Sequence, residues 1–155
     1  MHALIYERKT LGESPTTKEL ARHMFARMDC GKIVIVAEKP ASTLSALRKQ
    51  WIMLTAKVRR ERSSTINAAL VYELSRTIVR MEGLRFTSKW PDDDRPADVY
   101  IATVEQLLEW PPEQSCKTLY VMERVTREQL HLVTSWMRDG AVVVEGVAPS
   151  SDGND

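Results

Sequence analysis

The chain has 155 residues, 43% of them hydrophobic and 28% charged, which describes one globular domain able to close a core without disulfides or metal staples. Its 22 Lys and Arg against 21 Asp and Glu leave a formal charge of +1, which on its face excludes a nucleic-acid protein built on overall positive excess. No apolar run reaches the roughly 20 residues of a membrane span, and charged residues stand where a signal peptide needs an apolar stretch, so a cytoplasmic protein with no membrane partner is predicted.

Residues 3–6 read as a short strand and Gly12-Glu13-Ser14-Pro15 as a turn. Thr16 and Glu19 have capping-box spacing, ahead of Leu20, His23, Met24 and Arg27 at helical intervals and a stop at Gly31. Ile33-Val34-Ile35-Val36-Ala37 is apolar, mostly β-branched and without polar alternation, the pattern of a strand covered on both faces in a parallel sheet. Pro40 suits a first helical turn, and Leu44, Leu47, Trp51, Leu54 and Val58 then form a seam. Ser63-Ser64-Thr65 weakens that helix before Ile66, Leu70, Leu74, Ile78 and Met81 resume the pattern up to Gly83. The segment is therefore either a helical hairpin or one long bent helix.

Residues 84–87 are a weak strand candidate, and 89–96 form a loop with two prolines and Asp92-Asp93-Asp94. Residues 99–102 read as a strand, 104–108 as a brief helix stopped at Pro111-Pro112, and 118–122 as a strand. Thr126 and Gln129 form a second capping box, for a helix that turns Leu130, Val133, Trp136 and Met137 inward and ends at Gly140. Residues 141–144 close as a strand, and the Ser, Asp and Gly-rich residues 149–155 read as a disordered tail after a single domain over 1–148. Strands alternating with helices predict an α/β three-layer sandwich, Rossmann-like, with a mostly parallel sheet of about five strands.

Neither a Gly-x-x-x-x-Gly-Lys-Ser/Thr loop nor a Gly-x-Gly-x-x-Gly turn is present, which argues against nucleotide hydrolysis. His2, His23 and His131 have no paired His at i+4 and no cysteine partner, and Cys30 and Cys116 read as reduced and ordinary. Three glutamates, Glu38, Glu105 and Glu123, each follow a predicted strand, where open parallel sheets form their sites. Their convergence would suit a magnesium-dependent phosphodiester site. The run Lys32-Ile33-Val34-Ile35-Val36-Ala37-Glu38-Lys39-Pro40-Ala41-Ser42 resembles the opening of the toprim domain of type IA topoisomerases, which implies an acid/base role for Glu38. The Asp-x-Asp pair of that domain has no counterpart at the end of a later strand. In layout, the 33–37 strand with Leu44, Leu47 and Trp51, and later Ala97-Asp98-Val99-Tyr100-Ile101-Ala102-Thr103, resembles the second RecA-like lobe of superfamily-2 helicases. The chain is also similar in layout to the chi subunit of bacterial DNA polymerase III, and residues 47–67 resemble small α/β proteins of integrative conjugative elements, which places a mobile element among the expected settings.

Charge is not spread evenly. Residues 1–90 hold 17 Lys and Arg against 8 acids, and residues 91–155 hold 5 against 13. Arg48, Lys49, Lys57, Arg59, Arg60 and Arg62 face the single acid Glu61, and Arg76 and Arg80 extend the group. On a helical wheel Lys49, Lys57 and Arg60 fall within about 80° of one another, away from the Leu44/Trp51 seam. The primary expectation is a non-enzymatic module that uses this basic helix face on nucleic acid or an acidic protein partner, without a cofactor, as an accessory of DNA replication or transfer. One alternative is the metal-dependent enzyme built on Glu38. The other is a structural protein whose acidic and basic faces meet partners or other copies of itself as a homo-oligomer.

Overall fold

Strands written as continuous apolar runs belong in a parallel sheet, which has two faces to cover. The computed structural model describes residues 5–7, 17–29, 31–91, 96–112, 116–137 and 140–146. Its elements run β1 (Ile5–Glu7), α1 (Thr17–Phe25), β2 (Lys32–Val36), α2 (Pro40–Ser64), α3 (Ala68–Gly83), β3 (Phe86–Thr87), β4 (Val99–Ala102), α4 (Val104–Glu109), β5 (Cys116–Val121), α5 (Arg127–Thr134) and β6 (Val142–Glu145). The sheet order is β1-β6-β5-β2-β4-β3, and every neighbouring pair is parallel. The expected α/β sandwich is present, and its sheet is extended to six strands by the two-residue β3, where the sequence offers only a weak strand. The 12–15 turn, the 92–94 acidic run, Cys30 and the 149–155 tail lie outside the described residues.

Strand alternation sorts the core into two halves. Ile33 and Ile35 of β2, Val99 and Ile101 of β4 and Tyr120 of β5 pack under α1, α2 and α3. Val34, Val36, Tyr100, Ala102, Leu119 and Val121 pack under α4 and α5. The chain crosses from β1 to β2 and from β2 to β3 beneath the first layer, and returns from β4 through β5 to β6 beneath the second. Direction and face reverse together, as crossovers of one hand require.

Length then decides where the longest helix goes. The five residues of β2 span about 17 Å, whereas the 25 residues of α2 span about 38 Å. Because α2 starts at the carboxyl end of β2 and runs back along the sheet, it overshoots the amino edge by roughly 20 Å. Burial follows the overshoot. Leu47, Trp51, Thr55 and Val58 are the buried residues of α2, and none of residues 59–77 is buried. Helix α3 lies along the overshooting half, packs on α2 rather than on the sheet, and returns to the amino edge where β3 begins, with only Ile78 and Met81 buried. The two readings of this segment thus resolve as a hairpin that projects from the sandwich. It breaks at residues 65–67, where the Asn67 side chain accepts a hydrogen bond from the Leu70 amide at 3.1 Å. Ile66, in the predicted seam, is 103% exposed, and Leu70 is exposed as well, because this part of the hairpin has no sheet to face.

Three contacts clamp the root of the hairpin. The Trp51 indole Nε1 donates to the Met81 carbonyl at 2.8 Å, its ring meets Phe86 edge-on at 5.8 Å, and Arg48 Nη2 donates to the Phe86 carbonyl at 3.0 Å. On the opposite layer the Thr126/Gln129 capping box is present as expected, and Thr103 and Gln106 form another at α4. Trp136 corrects an expectation. It is 62% exposed, since α5 ends at Thr134, short of the expected stop at Gly140, and in the turn that follows Met137 is buried and Trp136 is not. Gly31 holds a φ of +109°, and a Cβ there would collide with the Lys117 side chain, so the tight entry into β2 requires glycine.

Trp51→Phe removes the buried donor to Met81 and should lower the unfolding free energy by about 1–3 kcal/mol, measured from urea denaturation. An unchanged midpoint would contradict the clamp.

Candidate functional site

Two groups of charged side chains emerge from this fold, at different places. The first lies at the carboxyl edge. There the chain leaves β2 toward the α2 layer and leaves β4 and β5 toward the α4 and α5 layer, which opens a crevice between them. Backbone bonds from Ala37 N to the Ala102 carbonyl (2.9 Å) and from Met122 N to the Val36 carbonyl (3.0 Å) hold the three chain exits side by side. Glu38 follows β2, Glu105 stands in the first turn of α4, and Glu123 follows β5.

Glu123 is partly buried. Partial burial raises its pKa above the ordinary carboxyl value, the Val104 amide bonded to its carboxylate opposes that, and the negative charges of Glu105 and Glu38 raise it further. The charges of Glu105 and Glu38 thus act on Glu123. Among the described residues, however, no three His, Cys, Asp or Glu side chains are grouped so as to hold one metal ion.

The second group is the helical layer on the other side. Helices α1, α2 and α3 carry ten Lys and Arg against four acids, whereas α4 and α5 carry one against three. Several of the predicted basic residues have structural partners. Arg48 bonds the Phe86 carbonyl, Arg59 pairs with Glu82 at 2.6 Å, Arg80 pairs with Asp29 at 2.9 Å, and Arg76 lies over the Tyr72 ring at 5.9 Å. Arg62 is half-buried in the last turn of α2, and Lys49 is exposed.

Lys57 and Arg60 do something different. They line a groove of about 210 Å³ between α1 and α2, together with Lys18 and Arg22 of α1 and the apolar stems of Ala21, Met53 and Leu54. Four cations meet there, and no acid is among the lining residues. Sequence reasoning missed the α1 half. Its signal was the i, i+4 spacing of Lys18 and Arg22 on the helix flank beside the buried Leu20, Ala21 and Met24. On the opposite flank of α2, a second cleft of about 500 Å³ runs between α2, the end of α3 and β3, over Trp51, Met81, Leu84 and Phe86, with Arg48 and Arg59 on its walls.

Other candidate groups are structural. His23 Nδ1 lies 2.7 Å from the hydroxyl of the buried Tyr120, with the two rings edge to face. Cys116 donates its thiol to the Thr118 carbonyl, and burial pushes its pKa up to about 12, so it stays protonated and unreactive. Trp90 packs edge-on against Tyr100 and donates its indole N–H to the Trp110 carbonyl, while Trp110 itself is exposed. Among the described residues no helix is long and apolar enough to cross a membrane. Comparison with known protein families and with curated proteins finds no match to the chain.

Glu123 fixes one pH dependence. With its folded-state pKa raised, the folded protein binds the extra proton more tightly than the unfolded chain, so its ionisation opposes folding as pH rises above 4.5, and that cost is absent at lower pH where both states are protonated. Glu123→Gln, which keeps an acceptor for the Val104 amide, should raise the urea midpoint at pH 7 and leave it unchanged at pH 3. A lower midpoint at pH 7 would contradict the assigned field.

Proposed function

We propose that the protein is a non-enzymatic module that holds the phosphate backbone of a nucleic acid along the basic helical layer, with the α1–α2 groove as its centre. The observation that carries this is the groove itself: Lys18, Arg22, Lys57 and Arg60 converge from two helices without an acid among the lining residues. Bringing four ammonium and guanidinium groups together is unfavourable unless water, salt or a polyanion screens them, and a chain of phosphates displaces condensed counterions in doing so. Arg59 and Arg80 are already neutralised by Glu82 and Asp29, so the working set is smaller than the sequence count and includes two residues outside it.

The distribution of charge supports a polyanion over a compact acidic protein. The cations follow α2 beyond the sheet edge as an elongated track, with the apolar Ala21, Met53 and Leu54 set among them in the groove. The acidic α4–α5 layer lies on the other side of the sheet, where it does not compete for the bound phosphates. A partner protein reading the two faces in opposite senses is the second possibility, supported by the same segregation of charge between layers.

Binding of a labelled oligonucleotide, followed by anisotropy against salt, tests this. The affinity should fall steeply between about 50 and 200 mM salt. The double variant Lys57→Glu with Arg60→Glu should weaken binding to all sequences alike and reduce the slope of log affinity against log salt by about 2, about one for each phosphate no longer neutralised. Binding that is undetectable at low salt, or unaffected by the double variant, would remove the proposal.

A further inference from the structure

We infer that the α2–α3 cleft receives an unstacked base, so that the protein selects single-stranded over double-stranded nucleic acid; this rests on the polyanion reading above and adds a specificity to it. The cleft and the basic groove are the two flanks of the same helix. Lys57 and Arg60 project into the groove on the α1 side, and Ile52, Ala56 and Arg59 line the cleft on the α3 side. Between them the crest of α2 carries Ile52, 69% exposed, and Met53, also exposed, side chains that a solvent-facing helix surface would ordinarily replace with polar ones.

The chemistry of the cleft fits a ring attached to an anion. Its volume of about 500 Å³ lies within the ordinary range for small-molecule sites. Its floor is apolar and aromatic, formed by Trp51, Met81 and Phe86, and the Trp51 and Phe86 rings are held rigidly by their edge-on contact and by the Trp51 bond to the Met81 carbonyl. Its cationic groups are guanidiniums, which stack on bases and bond phosphate at once. Arg48 is anchored by a single bond to the Phe86 carbonyl, which leaves further N–H groups for a ligand, whereas Arg59 is neutralised by Glu82, which also lines the cleft, so Arg48 is the cation that meets an anion there.

A strand whose backbone leaves the α1–α2 groove and crosses the apolar crest of α2, a helix width of about 10–12 Å, can turn a base into this cleft. In a duplex the base faces are hidden in the stack and only base edges, sugars and phosphates are accessible, so a duplex occupies the groove and leaves the cleft unfilled.

The test compares an oligothymidylate of roughly 20 nucleotides with a duplex of the same length, titrated by anisotropy against the full chain. The wild type should bind the single strand about tenfold more tightly, the lower part of the range for stacking one base on a protein. Ala56→Phe, which fills the cleft, and Ile52→Ser, which removes its lip at an exposed position and so leaves the core untouched, should each bring the ratio toward one without changing net charge. Thermal midpoints check that both variants are folded. Equal affinity for the two ligands in the wild type, or a single-strand preference that survives both substitutions, would overturn the inference while leaving the groove proposal standing. Absence of binding to either ligand would overturn both.

Discussion

The mismatch in length between strand and helix organises this molecule. A strand of five residues cannot give a partner surface to a helix of 25, so the second half of α2 had to leave the sheet and find another cover. That cover is α3, which packs on α2 and fills the remaining distance back to β3. The long insertion between β2 and β3 is thus an ordinary crossover for its first half and a projecting hairpin for its second. The clamp of Trp51 on Met81 and Phe86 stands at the boundary between the two.

Once the hairpin projects, its composition follows. None of residues 59–77 is buried, so charge is carried there at little desolvation cost, and the cations concentrate on the flanks of α2. Acids accumulate elsewhere, at the carboxyl edge around Glu123 and on the α4–α5 layer. The near-zero net charge of the whole chain is a cancellation between two segments of sequence, 17 Lys and Arg against 8 acids in residues 1–90 and 5 against 13 in residues 91–155. In such a molecule the net charge says little about partners, because phosphates respond to the nearest cations within roughly a Debye length, about 8 Å at physiological salt.

Much of this was legible in the residues. The Ile33–Ala37 run predicted a strand buried on both faces, and Pro40, Gly83 and the Thr126/Gln129 box marked helix ends correctly. The hydrophobic seam held as far as Val58 and again at Leu74, Ile78 and Met81, but not at the hairpin's tip. There Ile66 and Leu70 continue the helical period while facing solvent, since periodicity records which face is apolar and not whether anything lies opposite. Trp136 misled for a related reason: a large aromatic beside Met137 reads as core until the turn it occupies is known. The basic group was visible as a local excess around Arg48 to Arg62, but its composition changed on folding. Asp29, distant in sequence, neutralises Arg80, and Lys18 and Arg22, equally distant, complete the groove. Such pairings depend on which helices become neighbours, and no spacing along one helix contains that information.

An amide NMR footprint of the isotopically labelled full chain with an unlabelled single-stranded oligonucleotide tests the position of the functional surface most directly. Shift changes should concentrate on residues 18–22 of α1 and 48–60 of α2, with the carboxyl-edge glutamates and the α4–α5 layer unaffected. Changes centred on Glu38, Glu105 and Glu123 with α1 and α2 silent would place that surface at the carboxyl edge of the sheet and contradict a phosphate-binding helical layer.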